Sequence, residues 1–270
     1  MTPLTFELKI NPGFPLDISP LIPDLLSTQS KIQIKSIHIT HNKEKIPAAE
    51  LFTITGNDHK NICIHSNNGK LYNIGQKMSF GTIEVKGDVG DFLGQEMQGG
   101  YIKVHGNARA WTGCSMTGGR IDIAGDTGDH AGAGIPGDAH GMSDGMIYIS
   151  GNAGDRVGDR MRRGLIIIGG KAGNYCGSRM YAGTIIVLDI TGKYAGVAMK
   201  RGTIILAKKP THIYATFESC GIQEMEYLRL LFTQLSAMGK EFSIFGKFRP
   251  EAHRYSGDHS RNGKGEILIL

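Results

Sequence analysis

The sequence predicts an all-β chain: a right-handed parallel β-helix, a solenoid of about 19 residues per coil, followed by a C-terminal amphipathic helix. Three observations predict it. A methionine returns at Met78, Met97, Met116, Met142, Met161, Met180 and Met199, with a spacing of 19 residues except for the 26 between Met116 and Met142. A glycine stands three residues after each, at Gly81, Gly100, Gly119, Gly145, Gly164, Gly183 and Gly202. Two aliphatic residues at alternate positions follow, such as Ile83 and Val85, Ile166 and Ile168, or Ile204 and Leu206.

A unit this short cannot hold the helix pairs of the α-solenoids, which need roughly 30 or more residues per repeat. Each unit holds one alternating strand and a glycine-rich turn path. A single strand has no partner within its own unit, so it pairs in parallel with the same strand of the next. Parallel crossovers are right-handed, which sets the expected hand. The aliphatics stack inward as ladders, and the methionine column fills the remaining corner. Glycine accounts for 39 of 270 residues, about twice ordinary usage, without the strict Gly-X-Y run of collagen.

The elements follow in chain order. Residues 1–50, with Pro3, Pro12, Pro15, Pro20 and Pro23, read as an N-terminal segment and cap built from extended pieces and turns. Residues 51–208 form the repeat, and Leu51–Met78 is a degenerate first coil marked by Ile62, Ile64, Gly69 and Gly75. Residues 209–270 form the C-terminal helix and tail. Within them Ile222–Gly239 carries Met225, Leu228, Phe232, Leu235 and Met238 at helical spacing. Solenoid ends expose unpaired strand edges, so both terminal regions are expected to act as caps.

The seven extra residues between Met116 and Met142 contain Gly132-Ala-Gly134-Ile-Pro-Gly137, formally GxGxxG. Pro136 and the lack of a surrounding βαβ unit argue against a dinucleotide site. His130, His140, Asp129 and Asp138 lack metal-ligand spacing. The 126–141 loop is therefore expected to protrude as a contact element for another chain. Asp88, Asn107, Asp126 and Asn152 share one slot of the register, and Asp91, Asp129, Asp155 and Asn174 another. Both rows read as turn residues bonding local backbone amides rather than as a hydrolytic carboxylate cluster.

The outward slot of the strand reads Glu84, Lys103, Asp122, Tyr148, Ile167, Ile186 and Ile205, charged at first and apolar later. An apolar stripe needs a cover, either the 222–239 helix folding back or a partner subunit. A second surface feature is cationic: Arg156, Arg160, Arg162, Arg163, Lys171, Arg179, Lys193, Lys200 and Arg201, against Asp159 and Asp189 as the acids of that stretch. The register stacks Arg160 beside Arg179, Arg162 two coils from Lys200 and Arg163 two coils from Arg201. Rows of like charge favour an anion among them.

The net charge of +5 permits an anionic partner without demanding nucleic acid. Cys63, Cys114, Cys176 and Cys220 show no CxxC spacing and read as reduced thiols. The N-terminus lacks a signal layout, and no apolar stretch approaches the ~20 residues of a membrane helix. These features predict a soluble, cytoplasmic chain that does not enter a membrane. No P-loop, H-x-H pair or nucleophile–base motif is visible, so no catalytic or metal-ligating residue is assigned.

The run Gly81-Thr-Ile-Glu-Val-Lys-Gly-Asp-Val-Gly-Asp-Phe-Leu-Gly94 and its later copies resemble the GXGXG-repeat superfamily, which includes the C-terminal domain of the large glutamate synthase subunit. The insertion His130–Gly137 and the tail Arg254-Tyr-Ser-Gly-Asp258…Gly263-Lys-Gly-Glu-Ile267 look more like the GXGXG-repeat subunit of formylmethanofuran dehydrogenase and of the bacterial formyltransferase/hydrolase complex. That resemblance implies a non-catalytic subunit of a one-carbon complex. It implies amidohydrolase-type and formyltransferase partner subunits and a methanofuran-type carrier with a polyglutamate tail. It also implies zinc, and in archaeal relatives molybdenum or tungsten, on other subunits. The cationic row would then be a track for the tail. Two alternatives are a glutamate-synthase-like scaffold around an ammonia channel and a stand-alone polysaccharide enzyme. The latter would need secretion and an aromatic-lined groove.

Overall fold

The computed structural model describes residues 1–66 and 68–270. Seven repeat strands, Thr82–Lys86, Tyr101–Val104, Thr117–Ile123, Asp144–Ile149, Leu165–Ile168, Thr184–Val187 and Thr203–Leu206, lie side by side in chain order. All pair in parallel, and the register runs Ile83, Ile102, Ile121, Ile147, Ile166, Ile185, Ile204. The degenerate stretch Leu51–Met78 contributes strand Asp58–His65, which pairs in parallel below them and sets Ile62 against Ile83.

Both ends extend the same 13-stranded sheet. At the bottom Pro3–Leu8 pairs in parallel with Asp58–His65, and Phe52–Thr55 closes the edge antiparallel. At the top Gly265–Ile269 returns to pair in parallel with Thr203–Leu206. Glu251–Gly257 and Glu218–Glu224 then follow antiparallel. A four-stranded sheet of Leu16–Asp17, His38–His41, Glu44–Pro47 and Leu71–Tyr72 flanks the bottom. No helix among the described residues is long and apolar enough to cross a membrane.

The units also meet on a second side. Val89, Ala108, Thr127, Ala153, Ala172 and Thr191 form a second column of parallel bridges. Beside it the two acid and amide rows bond the backbone of the next unit rather than their own turn, which corrects the local reading. The Asn107 amide donates to Asp88 Oδ1 at 2.7 Å and the Asn152 amide to Asp126 Oδ1 at 2.6 Å. In the other row the Ala110 amide donates to Asp91 Oδ1 at 2.9 Å and the Asn174 amide to Asp155 Oδ1 at 2.7 Å. A short side chain one unit below thus satisfies a donor that would otherwise be orphaned.

The core is aliphatic, as the ladders predict: the inward isoleucines and all seven repeat methionines are buried. The pairing of methionine with glycine has a steric reason. A Cβ added at Gly183 would lie 2.9 Å from the methyl of Met161, and one at Gly202 would lie 2.8 Å from that of Met180. Each methionine fills the space its neighbour's glycine leaves.

The outward row resolves into two halves. Ile167, Ile186 and Ile205 are fully buried and form one cluster with Leu228, Phe232, Leu235, Phe242 and Phe245. The chain's own C-terminal segment is therefore the cover. The helix is shorter than expected, Glu226–Ser236, because Ile222–Glu224 extends as an edge strand. Pairing with Glu251–Gly257 wins there over helical periodicity. A 3₁₀ segment, Lys240–Lys247, supplies the two phenylalanines. At the seam Arg120 donates from Nε and Nη2 to Asp122 at 2.7 Å, and its guanidinium lies over the rings of Tyr101 and Phe242.

Candidate functional site

The repeat gives side chains at one slot a common backbone conformation, and at two slots that conformation is left-handed. The first slot holds Phe92, Trp111, His130, Arg156, Tyr175 and Tyr194, with φ between 61° and 66°. Their side chains stack: Trp111 on His130 with ring centroids 4.1 Å apart, Arg156 over Tyr175 at 4.7 Å, Tyr175 on Tyr194 at 5.0 Å. Burial lowers the pKa of His130, keeping it neutral within the stack. Sequence reading missed this column because its members differ in type; only their constant offset of 14 residues from the methionines marks them.

The second left-handed slot, four residues on, holds Ser115, Arg160, Arg179 and Ala198. It opens onto a groove of about 650 Å³ lined by Arg160, Arg179, Tyr181, Lys200 and Arg261, with Gly137–Ala139 of the insertion along one wall. Arg160 Nη1 donates to the Asp138 carbonyl at 2.7 Å. Arg179 Nε donates to the buried Asp159 at 2.9 Å, and its Nη2 pairs with the same carboxylate. Ser178 Oγ holds that carboxylate at 2.6 Å. The Lys200 ammonium lies 5.1 Å from the centre of the Tyr181 ring. A smaller recess that shares Asp138 and Ala139 with the groove is lined by Ser115, His140, Ser143 and Arg162.

Of the nine predicted cations, the structure thus gathers Arg160, Arg179 and Lys200, with Arg162 in the adjoining recess. Arg156 joins the stacked column. Lys171 lines a separate hollow with Asn152 and Ile190. Arg163, Lys193 and Arg201 are outside these groups. The groove adds Arg261 from the tail, which no periodicity could reveal because it stands outside the repeat.

The insertion lies partly against the column. Asp138 Oδ2 accepts from Ser115 Oγ at 2.9 Å, and His140 meets the Tyr181 ring edge-on at 4.9 Å. Pro136, Gly137 and Ala139 at its tip are exposed. His130, His140, Asp129 and Asp138 are held by separate partners. No group of three or more metal-ligating side chains converges among the described residues.

Burial pushes the Cys114 and Cys176 thiols up to about 12. What the groove offers is a row of positive charge without a nucleophile–base pair. It suits binding of a multiply charged anion, and the forked guanidinium groups suit carboxylates.

The family described as the GXGXG motif matches residues 64–229. Among solved structures, a chain of the formyltransferase/hydrolase complex from Methylorubrum extorquens, crystallised in complex with methylofuran, is 33% identical. That likeness covers 98% of each chain with a TM-score of 0.90. No curated protein matches the sequence.

Proposed function

The chain belongs to the GXGXG family, and from that premise we propose that it is the structural, repeat-bearing subunit of a formyltransferase/hydrolase-like complex. The complex would interconvert a formylated methanofuran-type carrier with formate and pass the formyl group to a tetrahydropterin. The observation that carries this reading is the extent of the likeness. It spans the insertion, the covering helix and the tail as well as the repeat, and so takes in features that a shared repeat alone would not impose.

In this reading the chain does no chemistry. The aspartates and asparagines of its two register rows are spent on inter-unit hydrogen bonds, and its core thiols are buried and protonated. The reacting zinc belongs to an amidohydrolase-type partner and the transfer site to a formyltransferase partner. Redox members of the type would add a molybdenum or tungsten subunit. The exposed tip of the 126–141 loop serves as a contact for such a partner. The units wind as a right-handed parallel β-helix, with residues 1–50 and 209–270 as caps and 51–208 as the column. The two columns of parallel bridges on different sides of each unit support that winding. The assembly works in the cytoplasm.

The groove around Arg160, Arg179 and Lys200 holds the polyglutamate tail of the carrier. Arg162 lies along its extension, and Arg156, Arg163, Lys171, Lys193 and Arg201 raise the surrounding potential. Its donor set fits a polycarboxylate. A salt-sensitive grip would retain the tail while the formyl end moves between partner active sites.

Native mass spectrometry of the untagged complex tests the assignment. The expected result is co-purification with a formyltransferase and an amidohydrolase-type subunit, and no formylmethanofuran hydrolysis by the isolated chain. Turnover by the chain alone, or partners of glutaminase and flavin type, would overturn it.

A further inference from the structure

The tail reaches the groove by a built route. Strand Gly265–Ile269 occupies the place an eighth repeat strand would take, and the loop before it, Asp258–Lys264, occupies the corresponding corner. Asp258 is fully buried. Its Oδ2 accepts from the Ala198 amide at 2.8 Å, and its Oδ1 accepts from the Ser260 amide at 2.9 Å and Ser260 Oγ at 2.6 Å. Ala198 is itself a member of the left-handed slot that holds Arg160 and Arg179.

The Lys264 amide donates to the Lys200 carbonyl at 2.7 Å, which fixes the loop's other end. The approach at Gly263 is close: a Cβ there would stand 2.6 Å from Asp258 N and closer still to the Met199 carbonyl. The loop so fastened presents Arg261 to the groove, whose lining also includes Asp138, Arg179 and Lys200.

We propose that the Asp258–Lys264 loop is part of the anion-binding wall, with Arg261 as a ligand-facing cation and Asp258 as the residue that positions it. This rests on the reading of the groove as a polycarboxylate site and deepens it. Two guanidinium groups already have partners, Arg160 on the Asp138 carbonyl and Arg179 on Asp159. Arg261 has no such hydrogen bond or ion pair among the described residues, so it meets an incoming carboxylate without first giving up a contact.

The test is calorimetric titration of the full-length chain with hexa-L-glutamate at low ionic strength. Arg261→Glu is expected to raise the dissociation constant by about tenfold, the loss of one charge-assisted contact. The charge-matched Arg249→Glu, at an exposed site outside the groove, should change it by less than about twofold. Asp258→Asn separates positioning from charge. It removes a negative charge, so electrostatics alone predicts tighter binding. Positioning predicts weaker binding, by about threefold or more, because an amide cannot accept from both the Ala198 and the Ser260 N–H as the carboxylate does.

Tighter binding by Asp258→Asn would overturn the positioning role, and an unchanged constant for Arg261→Glu would overturn the inference. If Asp258→Asn fails to fold, Arg261→Gln, which leaves the loop's fastening intact, should still weaken binding, and no change would overturn the proposal. Arg160→Glu/Arg179→Glu distinguishes the two levels. If it abolishes binding while Arg261→Glu does nothing, the groove stands and the loop's role falls. If the wild-type chain does not bind the peptide, both fall.

Discussion

Two flanks of the upper column differ in what the chain does with them. The outward strand row of Ile167, Ile186 and Ile205 is sealed by the chain's own helix and by Phe242 and Phe245. The row of Arg160, Arg179 and Lys200 is left open as a groove, and the same tail adds one more cation there instead of a lid. Both rows stand on the same repeating backbone, the first on its strands and the second in its turns. The difference lies in chemistry: an apolar row in water favours an intramolecular cover, whereas a row of like charge favours a counter-charge from outside. A repeat therefore separates its scaffold from its surface, and the slot identities decide which surface is for the chain and which is for a ligand.

The largest effect should come where both flanks depend on the same interior. Ile166→Asp places an unpaired charge in the buried ladder, costing several kcal/mol at least, and should leave no cooperative unfolding transition by calorimetry. A native-like melt from this variant would break the comparison at its root.

The sealed flank is tested by Ile186→Ala, which should cost about 2–5 kcal/mol as a buried large-to-small change. Lys103→Ala, four units below in the same outward row but exposed, should cost no more than about 0.5 kcal/mol. Denaturation midpoints that fail to separate these two would mean the C-terminal cover contributes nothing.

A smaller effect belongs to the stacked column. Because burial lowers the pKa of His130, the unfolded chain binds that proton more readily than the folded one. Its contribution is fully present above the ordinary histidine value of about 6.5 and is lost as pH falls below it. The denaturant midpoint should therefore decline as pH falls below about 6.5, and His130→Gln should flatten that decline.

The smallest concerns thiol chemistry. Cys114 and Cys176, pushed up to about 12 by burial, and the buried Cys63, also raised, should resist a thiol reagent until the chain unfolds. The half-buried Cys220 on the edge strand should react first. Equal native-state rates for all four would contradict the packed column.

What could be read beforehand follows from what repeats. Parallel pairing, inward isoleucines and buried methionines were legible because each is imposed in every unit by the same steric demand. The covering of Ile167, Ile186 and Ile205 was legible as a need, and the structure supplies the cover. The helix start was misplaced because Ile222 fits the helical stripe, yet antiparallel pairing with Glu251–Gly257 claims it.

Features that do not repeat a residue type were out of reach. The stacking of Trp111, His130, Arg156 and Tyr175 joins unlike residues. Arg261 reaches the groove through a loop that is non-repetitive in sequence. The nine cations looked like one field, but side-chain partners divide them: Arg179 belongs to Asp159 as much as to the groove, and Arg156 belongs to Tyr175.

The claim that the open flank exists to hold a polycarboxylate is tested most directly by Arg160→Glu/Arg179→Glu in the assembled complex. The measurement is the Michaelis constant for the long-tailed carrier at low salt, compared with the rate at saturation. A grip on the tail predicts a constant raised by about tenfold or more with the saturated rate unchanged, since binding remote from the reacting group is lost. A normally assembled variant complex whose Michaelis constant equals that of the wild type would contradict it.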